Sequence, residues 1–346
     1  MGSTPQLVAF VRQGLVTAWK GLRLKYPVDG NPAWIYGSSD PHCFGRQARP
    51  GAVLWVCGRR PPDPPGLVAR IRVAALLGPG ERPVNVDPRL WKHFGRYRFI
   101  ALGDPASSRF FPQNDAAEAL LSLRFANRPT WPPADALAPR PGWTTRCSRY
   151  FRSPCLIRAD RDSGRSGAEP LDRLADELTS RSVFLSWKHS DHGRARRSAL
   201  RAFVRELIRR RIGVWWDELA LPGPAGHREL YGNAPLLGSL LAEAMRETRA
   251  LIAVSSPEYG NISPGSADNW TLSEWQGGHL LPGGRSLRRA IYLLGGDSRY
   301  VAKEEADLQI AANDPADAAG EVARWLDLSA GCGAMPRTAS GQTGHA

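Results

Sequence analysis

SVFLSW, Ser182 to Trp187, is a short and nearly continuous apolar run, the kind of segment that a parallel sheet buries on both faces. Downstream, Leu200, Phe203, Val204, Leu207 and Ile208 recur at i, i+3, i+4, i+7 and i+8 and give a helix one apolar face. IGVWWD (212 to 217) is a second strand, followed by a long loop from Glu218 to Pro235. A second helix then buries Leu237, Leu240, Leu241, Ala244 and Met245. ALIAVSS (250 to 256) and RRAIYLLGG (288 to 296) are further strands, ADLQI is the best candidate for a fifth, and PADAAGEVARWLDL (315 to 328) is a closing helix. Strand and helix in alternation predict a parallel α/β sheet with helices on both faces, over residues 181–328. In such a sheet the ligand site lies beyond the carboxyl ends of the strands.

The polar residues at those ends are Ser186 and Lys188, with Trp187 between them, then Asp217, Ser255 and Ser256. NWTLSEWQ (Asn269 to Gln276) adds Glu274, which follows Trp270 and precedes Trp275. Thr271 to Glu274 has the T-x-x-E spacing of a capping box, so Glu274 reads as a helix cap or as a reacting carboxylate, and the two roles can coexist. Common nucleotide-binding and hydrolase motifs are missing: the chain has no Walker A sequence, no GxGxxG opening a helix and no GxSxG elbow. Ser190, Asp191 and His192 are adjacent, whereas a catalytic triad meets through folding. Arg197, Arg201, Arg205 and Arg209 fall four apart and read as a solvated helix face.

In order and content these pieces resemble the Toll/interleukin-1 receptor (TIR) domain. VFLSWKHSD is similar to that family's first strand and the loop beyond it. IGVWWDELALPG resembles its second strand and long loop, through Asp217, Leu221 and Gly223; ALIAVSSPEY resembles its third strand, and NWTLSEW its Trp-x-x-x-Glu element, through Trp270 and Glu274. The resemblance implies a flavodoxin-like parallel sheet that cleaves NAD between nicotinamide and ribose, with Glu274 as the essential group. It further implies that Ser186, Trp187, Lys188, Asp217, Trp270 and Trp275 line the substrate pocket, that NAD is substrate and not cofactor, and that copies self-associate through this domain. The chain departs from the family in the length of its 218–235 loop, which commonly mediates assembly there.

The first half has a different character. Residues 1–180 carry 26 Lys and Arg against 15 Asp and Glu, whereas residues 181–346 carry 20 against 18, so nearly all of the +13 net charge sits in the first half. That asymmetry suits an anionic partner such as nucleic acid, or simply a soluble basic surface. AWIYGS (33 to 38), GAVLWVCGRR (51 to 60), GLVARIRVAALLG (66 to 78) and YRFIALGD (97 to 104) read as strands between Gly and Pro turns, with one helix over 115–125. In LVARIRV, Leu67, Ala69, Ile71 and Val73 alternate with Val68, Arg70 and Arg72. A β-rich, barrel-like domain over 1–127 is expected, then a linker over 128–180 that ends in the short helix PLDRLADELTS, and a disordered tail over 329–346. The stretch from WKGLRLKYPVDG to LVARIRV is similar to PUA-like or EVE-like barrels, which implies a ligand or nucleic-acid pocket of Trp34, Tyr36, Trp55, Arg46 and Arg49. The alternative is that these aromatics fill a small core.

Cys43, Cys57, Cys147, Cys155 and Cys332 are odd in number and irregularly spaced, which points to a reducing, cytoplasmic setting, and no ligand spacing calls for a metal. Neither a membrane helix nor a secretory signal is expected. The leading expectation is a bacterial antiviral effector that hydrolyses NAD under the control of a nucleic-acid- or nucleotide-sensing first domain. Two other readings stay open: a TIR adaptor that acts by self-association alone, and a nucleic-acid-binding protein with a passive TIR fold.

Overall fold

The computed structural model describes residues 4–12, 33–59, 65–82, 86–127, 154–159, 166–187, 194–216, 234–256, 259, 274–275, 287–294 and 306–331. Two sheets organise them.

The first sheet is mixed. It contains β1 (Gln6–Arg12), β2 (Ile35–Ser38), β3 (Val53–Arg59), β4 (Gly66–Leu77), β5 (Phe99–Gly103), β6 (Arg109–Phe110) and β7 (Cys155–Leu156). The order is β2-β5-β4-β3-β1-β7, with β6 beside β4. β1 and β3 run parallel, and the other pairs are antiparallel. Bulges at Val56/Cys57 and Val73/Ala75 bend the strands. Among the described residues no pairing joins β2 to β7, so the sheet curls without closing.

The expected alternation in β4 is present: Leu67, Ala69, Ile71 and Val73 are buried, while Arg72 is exposed. β3 alternates likewise, Leu54 and Val56 entering one core and Trp55 and Cys57 another on the opposite face. Short helices α1 (Phe44–Gln47), α2 (Pro88–Phe94) and α3 (Ala117–Ser122) connect these strands. Ahead of α3, whose N-cap position is Ala116, Asp115 Oδ1 accepts from Ala117 N at 2.8 Å, and Asn114 instead bonds both Leu67 N and Leu67 O.

Two pieces of the 128–180 stretch are ordered parts of this sheet's core. β7 pairs with β1, and α4 (Glu169–Ser180) buries Leu171, Leu174, Ala175 and Leu178 against Trp55, Leu67, Phe111 and α3. The helix was readable from its own apolar face, and its partner was not.

The second sheet is wholly parallel, as expected. Its strands are β8 (Ser182–Ser186), β9 (Gly213–Trp216), β10 (Ala250–Val254), β11 (Arg288–Tyr292) and β12 (Leu308–Ile310), in the order β12-β11-β10-β8-β9. β12 comes from the ADLQI segment. α5 (Arg194–Arg209) and α7 (Pro315–Gly331) cover one face. α6 (Ala234–Glu247) covers the other, with the five apolar residues expected of it. The order reverses between β8 and β10, which makes their carboxyl ends a topological switch point.

The two sheets touch directly. Gln113 and Val214 exchange both backbone hydrogen bonds, at 2.9 and 2.8 Å, so the first unit adds a bridge to the outer edge of β9. Beside it, α5 ends in a Schellman turn, with Arg211 N bonded to Ile208 O and Ile212 N to Leu207 O, each at 3.0 Å. The left-handed position is held by Arg211, at φ 59°, where glycine is the usual choice. Its guanidinium accounts for the exception, because it pairs with Glu118 on α3 and, at 3.4 Å, with Glu177 on α4. No helix among the described residues is long and apolar enough to cross a membrane.

Candidate active site

Along β8, odd-numbered Val183 and Leu185 face α5 and α7, and Phe184 faces α6. Ser186 shares the parity of Phe184 and so arrives on the α6 side at the strand's carboxyl end. There it meets Tyr259, five residues beyond β10, and Glu274, whose backbone is helical. Tyr259 OH donates to Ser186 Oγ at 2.8 Å, and Ser186 Oγ donates to Glu274 Oε2.

The direction of this chain is fixed by proton count. A serine hydroxyl has one proton, so while Ser186 accepts from Tyr259 its own proton is aimed at Glu274. Tyr259 stays a donor because burial, and next the negative charge of Glu274, push its hydroxyl well above the ordinary tyrosine range; the bond to Ser186 opposes this only in part. Tyr259 is 2% exposed and Glu274 9%, so both ends of the chain lie in low-dielectric surroundings where such bonds are strongest.

Next to this chain, Ser255 and Ser256 continue β10 beyond its last residue and are fully buried. Ser255 N donates to Tyr292 O at 2.9 Å, and Ser256 O accepts from Tyr259 N at 3.1 Å, which sets the turn that brings Tyr259 back. Ser256 Oγ is shielded from solvent and has no hydrogen-bond partner among the described residues. A buried hydroxyl left unsatisfied costs roughly 1–3 kcal/mol and marks a place where a polar group is wanted.

The other expected pocket residues are distributed differently. Trp187 is 3% exposed on the α5 face, its ring edge-on to Trp216 at 5.5 Å and covered by Arg197 at 5.6 Å. It therefore packs on the opposite side of the sheet from Glu274. Trp275 is buried on the α6 side, with the guanidinium of Arg289 4.8 Å from its ring, and is a packing residue as well. Lys188, Asp217 and Trp270 lie outside the described residues, as does Thr271, so the capping-box reading of Glu274 does too. The sequence reading missed Tyr259 as a site residue, although its signal, Ser-Ser-x-x-Tyr at a strand end, is present.

In the first unit, Trp34 and Trp55 sit in separate cores on opposite faces of the sheet. Trp34 packs on Phe110 at 4.7 Å between centroids; Trp55 is fully buried, its Nε1 donating to Gln6 Oε1 at 2.8 Å and Arg70 lying over its ring at 5.8 Å. Tyr36 is half-buried against Phe44, and Arg46 and Arg49 are exposed near α1. These five residues do not line one pocket. Among the described residues no three His, Cys, Asp or Glu side chains gather as a metal site requires.

Comparison with protein-family models, curated proteins and solved structures gave no match to this chain.

Proposed function

We propose that the C-terminal unit is a TIR-type, flavodoxin-like module that hydrolyses NAD at the bond between nicotinamide and ribose. The observation that carries this reading is Glu274, held by Ser186 and Tyr259 at the carboxyl ends of β8 and β10. The strand order supports it, because numbering the five strands as they occur gives 2-1-3-4-5, the flavodoxin-like order whose ligands sit at this switch point.

The chemistry needs few parts. The C1′–N bond of the ribose breaks, nicotinamide leaves as a neutral molecule without taking up a proton, and positive charge develops on the ribose ring. A carboxylate beside that ring stabilises the transition state more than the ground state. Water then bonds to C1′ and releases a proton, giving ADP-ribose; attack by the adenine ring instead gives a cyclised product. In this reading the basic first unit senses a nucleic-acid or nucleotide signal, copies self-associate through the parallel-sheet unit, and the protein is a cytoplasmic effector that depletes NAD in antiviral defence.

A second reading has its own observation. The burial of Glu274 and the coverage of Trp187 also suit a module that only assembles, with the hydrogen-bond chain as internal bracing. Nicotinamide release by purified protein separates the two. Wild type is expected to release nicotinamide, and Glu274→Gln to lower the rate by at least about a hundredfold while remaining folded. Equal release by both proteins, across a range of protein concentrations and with candidate nucleic-acid activators present, ends the enzymatic reading.

A further inference from the structure

Between the two sheets lies a cleft of about 540 Å³, inside the roughly 300–1,000 Å³ range of small-molecule sites. Its walls come from both units: Arg109 and Phe111 on the first, Leu178 on α4, and Arg246, Glu247 and Arg249 at and beyond the end of α6. It opens where β8 and β10 begin, whereas Glu274 sits where they end, roughly 15 Å away along five-residue strands.

Arg109 is the unusual member. Its Nε–H is shielded from solvent and has no hydrogen-bond partner among the described residues. The guanidinium lies over the Phe111 ring at 5.1 Å. Burial, and next the charge of nearby Arg70, both act against its positive form. A guanidinium is a fork of donors that matches phosphate and carboxylate oxygens, and leaving it partly buried without an anion is unfavourable.

Asp176, Glu247 and the carboxyl ends of α4 and α6 pull the other way. However, Glu247 Oε1 already accepts from Phe110 N at 3.3 Å, and Asp176 is exposed at the rim. Among the described residues neither comes within ion-pair distance of Arg109. Arg246 and Arg249 add positive charge from the opposite wall, and Phe111 and Leu178 supply an apolar floor.

We propose that this cleft binds a phosphate-bearing nucleotide, its phosphate paired with Arg109 and flanked by Arg246 and Arg249, its ring system laid on Phe111 and Leu178. Such a ligand touches both units at once and is distinct from any substrate at Glu274.

The test is calorimetric titration of the full chain with ADP, pyrophosphate and adenosine at low and high salt. ADP and pyrophosphate are expected to bind, more weakly as salt rises, and adenosine to bind poorly. Arg109→Gln is expected to weaken ADP binding about tenfold or more, the loss of one charge-assisted phosphate contact. Arg249→Gln, at an exposed position that leaves the fold intact, should weaken it in the same direction. No binding of ADP or pyrophosphate to folded wild type overturns the proposal. So does binding that both arginine variants leave unchanged, or binding lost instead in Glu274→Gln. The readout does not involve NAD cleavage, so it stands or falls apart from the proposed reaction.

Discussion

Ser186 shows how little of a site one residue type reveals. In sequence it is one of several polar residues at strand ends, and only the fold turns it into the middle of a directed chain from Tyr259 to Glu274. Glu274 was legible because it follows a short motif at a fixed place after the third strand. Trp187 was legible as a residue but not as to side: the period-2 rule puts it opposite Ser186, and Arg197 and Trp216 then cover its ring. The chain has a pH signature. Tyr259 holds its proton more tightly folded than unfolded, so above its ordinary value of 10.0 the unfolded state binds fewer protons and stability falls as pH rises. Below pH 10 that contribution is fully present. Tyr292, pushed up to about 12 by burial and next by Asp314, adds a second such contribution. Urea unfolding of wild type between pH 9 and 11 should therefore lose stability more steeply than Tyr259→Phe; identical slopes would show that Tyr259 is not held as described.

At the scale of elements, local pattern was a good guide wherever one segment carries its own periodicity. The long alternation of β4 and the i, i+3, i+4 faces of α5 and α6 appear as read. β1 escaped notice because both of its faces are covered, with Leu7 and Ala9 entering one core and Val8 the other, so no wet face punctuates it. β6 and β7 are two residues each and exist only through their partners. α2 had a legible start that went unread: Asp87 before Pro88, with Asp87 Oδ1 accepting from Arg89 N at 2.8 Å. α4 carries the strongest prediction at this level. Leu178 is fully buried among first-sheet residues, and a Cβ added at Gly213 on β9 would meet its Cδ2 at 3.1 Å. Leu178→Ala should lower unfolding free energy by about 2–5 kcal/mol, measured by chemical denaturation. A loss below about 1 kcal/mol would mean that α4 is the loosely attached connector its sequence suggested.

For the whole molecule, the charge asymmetry was visible in the sequence and its location was not. Arg109 on the first unit and Arg246 and Arg249 on the second come from distant segments and meet only at the junction, with Arg70 beside Arg109 on the neighbouring strand. The contact that fixes the junction, Gln113 with Val214, is likewise invisible to any local reading, since its partners are about a hundred residues apart. Proline at 113 removes the N–H that donates to Val214 O, one of the bridge's two bonds, and so loosens the other, from Val214 N to the carbonyl of residue 113. In Gln113→Pro, hydrogen exchange at Val214 is expected to speed up by tenfold or more, while β10 in the middle of the sheet keeps its protection. Unchanged exchange at Val214 would show that the edge is protected by something other than this bridge.

The same bridge limits how copies of the chain can grow together. An open sheet with two bare edges can add neighbours on both sides and extend without end. Within the parallel sheet, among the described residues, the β9 margin is occupied from within the chain, which leaves the short β12 margin for edge pairing. Two copies joined there, related by a two-fold axis, use up that margin on each. Edge pairing of this sheet then terminates at a closed pair, and any filament has to be built through other surfaces, the margins of the first sheet among them.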